Sequence, residues 1–129
     1  MSIYKIATFF FMALAFSLNT KAASFSDTYE TCMENSNGVT ATMLDCISDE
    51  IAYQDKLLNF YYKKAKASLD TNGQKLLLNE QRAWLKYANA RTSFISGTTF
   101  GTLSTLQTQS TYLELLTNRV DELKAISSE

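Results

Sequence analysis

Histidine and proline are both missing from this 129-residue chain, and glycine occurs only four times. Without histidine, Ser-His and Cys-His nucleophile systems, histidine metal ligation and histidine acid–base work are excluded. Period-two alternation of the kind strands need is hard to find, no internal repeat is evident, and no glycine-rich phosphate loop or haem-attachment cysteine pair occurs. Carboxylates are plentiful, but a glycosidase pair needs a cleft, and these acids fall on helix faces expected to be solvated. The absences together predict a protein with no catalytic residues, no cofactor and no metal site.

Cysteine is scarce too, with only Cys32 and Cys46. Two thiols with no histidine cannot complete a tetrahedral metal site by themselves, whereas in an oxidising compartment a pair at this spacing reads as a disulfide. Closing a loop of about 15 residues contributes roughly 3 kcal/mol in the chain-entropy account, a useful supplement for a single small core.

The only long apolar run is Ile6 to Leu18, preceded by a weakly basic Met1 to Lys5 and followed by Asn19-Thr20-Lys21-Ala22-Ala23. That run is too short for a stable membrane span and suits the apolar region of a secretory signal; an uncleaved anchor is the competing reading. Cleavage is expected after Ala22, with Ala23 as the alternative. Residues 1–22 are then a signal peptide, residues 23–129 one helical domain, and the product periplasmic or secreted with no stable membrane anchor. Loss of Lys5 and Lys21 takes twelve bases to ten against thirteen acids, a net charge of −3. Nucleic acid is therefore not expected as a partner, since phosphate binding needs clustered surplus Lys and Arg.

Charge is segregated along the chain. Asp27, Glu30, Glu34, Asp45, Asp49, Glu50 and Asp55 occur with no base among them, whereas residues 56–91 hold eight bases and two acids. A negative face attracts basic proteins and speeds encounter. The blander account is that these acids solvate helices, suit a helix N-terminus and pair with Lys and Arg across a helical hairpin.

Four helical segments are predicted. Ser26 to Asn35 is short, capped by Ser26 or Asp27 and closed by the turn cluster Asn35-Ser36-Asn37-Gly38. A long helix from Thr40 to Leu69 places Met43, Ile47, Ile51, Gln54, Leu58, Tyr61, Ala65 and Leu69 in one arc of about 80°. Beside it, Cys46, Tyr53 and Phe60 recur every seven residues and mark where the short helix docks. Asp70-Thr71-Asn72-Gly73 is expected to break the chain. A third helix then runs from about Gln74 to Phe94 or Ile95, with Lys75, Asn79, Arg82, Lys86, Asn89 and Ser93 as its polar face. Leu77, Leu78, Gln81, Trp84, Leu85, Tyr87, Ala88 and Phe94 make up the rest, so the second and third helices form an antiparallel hairpin with Trp84 between them. Ser96 to Gly101 is expected as an exposed loop, with Phe100 either presented to solvent or folded back. A last helix begins near Thr102 and buries Leu106, Leu113, Leu116, Val120 and Leu123. The fold class is all-α: a short N-terminal helix disulfide-linked to a long antiparallel helical hairpin, plus a C-terminal helix. At helical spacing, Tyr53, Tyr61, Tyr62 and Tyr87 are expected at the core or its boundary rather than as a sugar-stacking platform.

Cys32-Met33-Glu34, Cys46, Asp55-x-x-Leu58-Asn59-x-x-Tyr62, Leu77-x-x-x-Gln81-x-x-Trp84-Leu85 and Arg119-x-x-x-Leu123 occur in that order. The ordered set resembles the LprI-like family of lysozyme inhibitors over Cys32 to Leu123. The resemblance implies a small exported helical domain, often a lipoprotein, that binds and inhibits lysozyme. It also implies a family-motif core of Asp55, Leu58, Asn59, Tyr62, Gln81, Trp84, Leu85, Arg119 and Leu123. Family members commonly carry a second cysteine pair where this chain has Thr92 and about Thr111, and an arginine and aspartate where it has Ala88 and Asn89. The expected function is an exported inhibitor whose partner is a basic lysozyme-type hydrolase. Candidate binding residues are Asp27, Glu30, Glu34, Asp45, Asp49, Glu50 and Phe100. An immunity protein against a delivered cell-wall toxin, or a structural envelope-stress protein without inhibitory activity, are the alternatives.

Overall fold

The computed structural model describes residues 23–128. The signal-peptide reading of residues 1–22 lies outside them. Four helices make up the fold: α1 (Asp27–Asn35), α2 (Thr40–Ser68), α3 (Thr71–Thr98) and α4 (Gly101–Ile126).

Short polar side chains cap the starts of α1 and α3, whereas α2 and α4 begin at Val39 and Phe100 with no side-chain cap. Ser26 caps α1 by accepting from the Tyr29 amide at 3.1 Å, and Asp27 and Glu30 lie in the first turn, where negative charge is favoured. At the other end the Ser36 hydroxyl donates to the Met33 carbonyl at 2.7 Å. Asn37 (φ 49°) and Gly38 (φ 76°) then reverse the chain in the left-handed region, which these two residue types tolerate best.

The break expected at Asp70 to Gly73 is shorter than the sequence suggests. Asp70 is the cap of α3, accepting from the Gly73 amide at 2.7 Å, so Thr71, Asn72 and Gly73 form its first turn. The loop expected at Ser96 to Gly101 contracts likewise. The hydroxyls of Thr98 and Thr99 donate back to the carbonyls of Phe94 and Ile95, both at 2.7 Å, and carry the helix on to Thr98. Thr99 and Phe100 are the entire connection to α4, which opens on Gly101 at φ +71°.

The all-α class and the disulfide between Cys32 and Cys46 stand as expected, with the two Cα atoms 5.8 Å apart. The partnership of the long helices differs. Helix α2 packs chiefly on α4 and only sparingly on α3, and α3 also turns its inner face to α4. Asp55 lies near Tyr112, Tyr61 beneath Lys124, and Leu69 beside Ile126, so α2 and α4 run in the same sense, with α3 antiparallel to both. The core is Leu58 and Ala65 of α2, Leu77 of α3, and Leu116, Val120 and Leu123 of α4, with Trp84 half-buried against it. Trp84 thus packs on a three-helix interior rather than in a two-helix seam.

The stripe on α2 is buried or half-buried throughout, and that on α4 is buried from Leu113 to Leu123. On α3 the expectation is corrected. Leu77 and Ala88 are buried, but Leu78, Leu85, Tyr87 and Phe94 are exposed, because a helix covered by one neighbour buries only a narrow strip. Phe60 is likewise exposed, and so is Tyr53 in part, since α1 is too short to cover the whole Cys46–Tyr53–Phe60 row.

Candidate functional site

The acids of α1 and of the first half of α2 converge because α1 is folded back along α2 and tied there by the disulfide. Asp27, Glu30, Glu34, Asp45 and Asp49 are all exposed. Among the described residues the only ion pairs are those of Arg119, so none of these five carboxylates is neutralised by a Lys or Arg of the hairpin. Unpaired negative charge is thus gathered on two adjoining helices.

Glu50 does not belong to that exposed set. It is 4% exposed and turned inward, accepting from the Ser26 amide at 2.9 Å, the Ser26 hydroxyl at 2.5 Å and the Gln54 amide at 2.7 Å. Glu50 lies one helical turn beyond Cys46 and so faces α1 with it. Its carboxylate pins the segment entering α1 to the middle of α2, which is why it is withdrawn from solvent.

Between α1 and α2 lies a cleft of about 300 Å³, lined by Ser26, Thr28, Tyr29, Cys32, Cys46, Asp49, Glu50 and Tyr53. Sequence reasoning singled out the acids and cysteines of this group but not Thr28 or Tyr29. An apolar residue just before the cap, Phe25, with Tyr29 in the first turn is the signal that points to Tyr29, and the two rings do meet, with centroids 5.1 Å apart; no spacing marks Thr28. Burial pushes the Tyr29 hydroxyl pKa up, and the charge of Glu50 adds to the effect.

Phe100 stands apart from the acids in sequence, at the turn from α3 to α4. It is 87% exposed, so it is presented to solvent rather than folded back. Leu103, one turn into α4, is also exposed.

The family-motif residues resolve mostly into structural parts. Leu58 and Leu123 are core, and Tyr62 and Trp84 pack against it. Arg119 is 1% exposed; its Nε donates to Gln81 Oε1 at 2.9 Å and its Nη1 to Glu80 at 3.1 Å and Glu122 at 2.8 Å. Burial works against the charge on Arg119, but the bonds to Glu80 and Glu122 outweigh it and its pKa is raised. Gln81 and Arg119 therefore lock α3 to α4 as a pair. Asn59 donates to the Asp55 backbone carbonyl at 2.9 Å, and both residues are exposed on α2; Leu85 is exposed on α3. Thr92 and Thr111, which stand where a second cysteine pair is expected in the family and is lacking here, are half-buried on α3 and α4, and Thr111 lines the groove between these helices with Arg91 and Ile95.

No group of three or more His, Cys, Asp or Glu among the described residues is placed to hold a metal ion, and no described helix is long and apolar enough to cross a membrane. The family model described as "Lysozyme inhibitor LprI" matches residues 32–123. No curated protein and no solved structure matches the chain.

Proposed function

The chain belongs to the LprI lysozyme inhibitor family, and from that footing we propose that it is an exported, non-enzymatic binding protein that inhibits a basic lysozyme-type peptidoglycan hydrolase. The observation that carries this reading is the unpaired acidic surface of α1 and the first half of α2: Asp27, Glu30, Glu34, Asp45 and Asp49. A surface of one sign with no internal counter-charge steers an oppositely charged partner and orients it on arrival. Phe100 supplies an exposed aromatic on a two-residue turn, the kind of residue that anchors in a partner's cleft.

The test is direct. The chain from Ala23 onward, purified with its disulfide intact, is added to lysozyme-type hydrolases while wall lysis and binding are followed. Inhibition is expected at low salt, with affinity falling about tenfold or more between about 50 mM and about 500 mM salt as the fields are screened. Full hydrolase activity with no binding at low salt overturns the reading.

A further inference from the structure

The cleft between α1 and α2 combines features that a merely solvated acidic face lacks. Two tyrosines, Tyr29 and Tyr53, line it; Asp49 lines it from an exposed position; and Glu50 contributes a carboxylate that is 4% exposed. The donors to that carboxylate are all neutral groups, a backbone amide, a hydroxyl and a side-chain amide. No cation of the chain reaches it among the described residues. A buried carboxylate is normally matched by a positive charge, and one with neutral donors alone still attracts one.

We propose that this cleft is the receptor for a single basic side chain projected by the protein partner. The inference deepens the inhibitor reading, and rests on it for the partner's identity. The volume of about 300 Å³ lies at the low end of small-molecule sites, which suits one side chain better than a glycan strand. The walls suit its chemistry: tyrosine faces attract cations, guanidinium above ammonium because it also stacks, and Asp49 and Glu50 supply the counter-charge. The Cys32–Cys46 disulfide lines the same cleft and fixes the separation of its two walls. The exposed acids Asp27, Glu30 and Asp45 then act at longer range, guiding the basic group toward the cleft rather than holding it.

Two measurements test this. Isotope-labelled protein is titrated with Nα-acetyl-arginine amide and with Nα-acetyl-citrulline amide, its neutral isostere. Saturable shifts at Thr28, Tyr29, Cys32, Asp49 and Tyr53 are expected with arginine amide and not with citrulline amide, and they disappear in Thr28→Trp, which fills the cleft without changing charge. In hydrolase binding, Thr28→Trp and Asp49→Asn are each expected to weaken affinity by about tenfold or more, and Asp45→Asn, outside the cleft, by about threefold or less. Arginine shifts spread evenly over all the acids without saturation, or hydrolase binding unchanged in Thr28→Trp, overturn the cleft assignment while the inhibitor reading stands. If no hydrolase binds the unaltered protein, the inhibitor reading falls, and the arginine titration still decides whether the cleft receives a basic group.

Discussion

Replacing both Cys32 and Cys46 with serine is expected to free α1 while leaving the rest of the fold in place. Helix α1 contains no fully buried residue, and the core of Leu58, Ala65, Leu77, Leu116, Val120 and Leu123 draws nothing from it. Its non-covalent hold consists of half-buried residues such as Phe25, Tyr29 and Met33, and two bonds from Ser26 to Glu50. The disulfide closes a loop of about 15 residues, so its loss costs about 3 kcal/mol of docking free energy in the chain-entropy account, or about two powers of ten in the docking equilibrium. Amide hydrogen exchange reads this by segment. Amides of residues 30–35 are expected to exchange about 100-fold faster in the double serine variant, with those of residues 113–123 little changed. Far-UV ellipticity loses no more than about a tenth, since α1 supplies 9 helical residues against 29, 28 and 26 in the other helices. Undiminished protection of α1 would show that Glu50 and the half-buried side chains suffice, and equal loss of protection in α4 would show that α1 is part of the cooperative core. Either result refutes the reasoning.

Arg119→Ala is expected to cost about 2–4 kcal/mol in urea unfolding, because it leaves a void at a fully buried site and strips Gln81 of its donor. Arg119→Met should cost less than the alanine variant, since Glu80 and Glu122 are exposed and rehydrate when released; the reverse order would place the charge contacts above packing. At alkaline pH, Tyr29 and Tyr112 have pKa values raised above the ordinary tyrosine value, chiefly by burial and secondarily by Glu50 and Asp55 respectively. The folded state thus holds their protons longer than the unfolded chain, so their contribution is complete below the unfolded tyrosine pKa and is lost as pH rises through the folded one. Stability should therefore decline above about pH 10, and less steeply in Tyr29→Phe and Tyr112→Phe; an unaltered profile in the double variant would contradict this. The two glycines flanking the α3–α4 turn should respond oppositely to alanine. Gly101→Ala at φ +71° costs about 1–2 kcal/mol, whereas helical Gly97→Ala, whose Cβ meets nothing within 4 Å, gains about 0.5–1 kcal/mol, both read from thermal unfolding midpoints.

The helices and the inner stripes of α2 and α4 were readable from residue spacing, because an unbroken 3.6-residue period such as that from Met43 to Leu69 admits one buried face, whereas on α3 Leu78, Leu85, Tyr87 and Phe94 extend the apolar arc beyond the strip that is buried. Which stripe meets which is not a local property. Adjacent long helices joined by a short turn suggest a hairpin, yet the stripe of α4 is buried from Leu113 to Leu123 and claims α2, leaving α3 covered on one side. The Ser- and Thr-rich stretch near residue 98 looked like loop because those residues disfavour helix interiors, but their hydroxyls bonded back to the carbonyls of the last turn and prolonged it. At the candidate site, the acids that charge segregation picked out lie exposed on α1 and α2, with Glu50 the exception. The four-residue step from Cys46 to Glu50 was available as a warning, since a residue one turn from a cysteine tied to α1 must face α1 as well. Arg119 and Gln81 were legible as a motif but not as a contact, because they lie 38 positions apart on different helices.

Helix α4 fills the interior, and it is also made after α1, α2 and α3. A chain without Leu116, Val120 and Leu123 therefore has nothing to close around, and its leucine stripes stay exposed. Helical bundles assembled from neighbours in sequence fold early and piecemeal, whereas this arrangement makes cooperative collapse wait on the fourth helix. Premature stop codons before position 113 consequently yield chains for proteolytic clearance rather than shortened working forms, and a nonsense scan along the gene should show abundance dropping as a step instead of a slope.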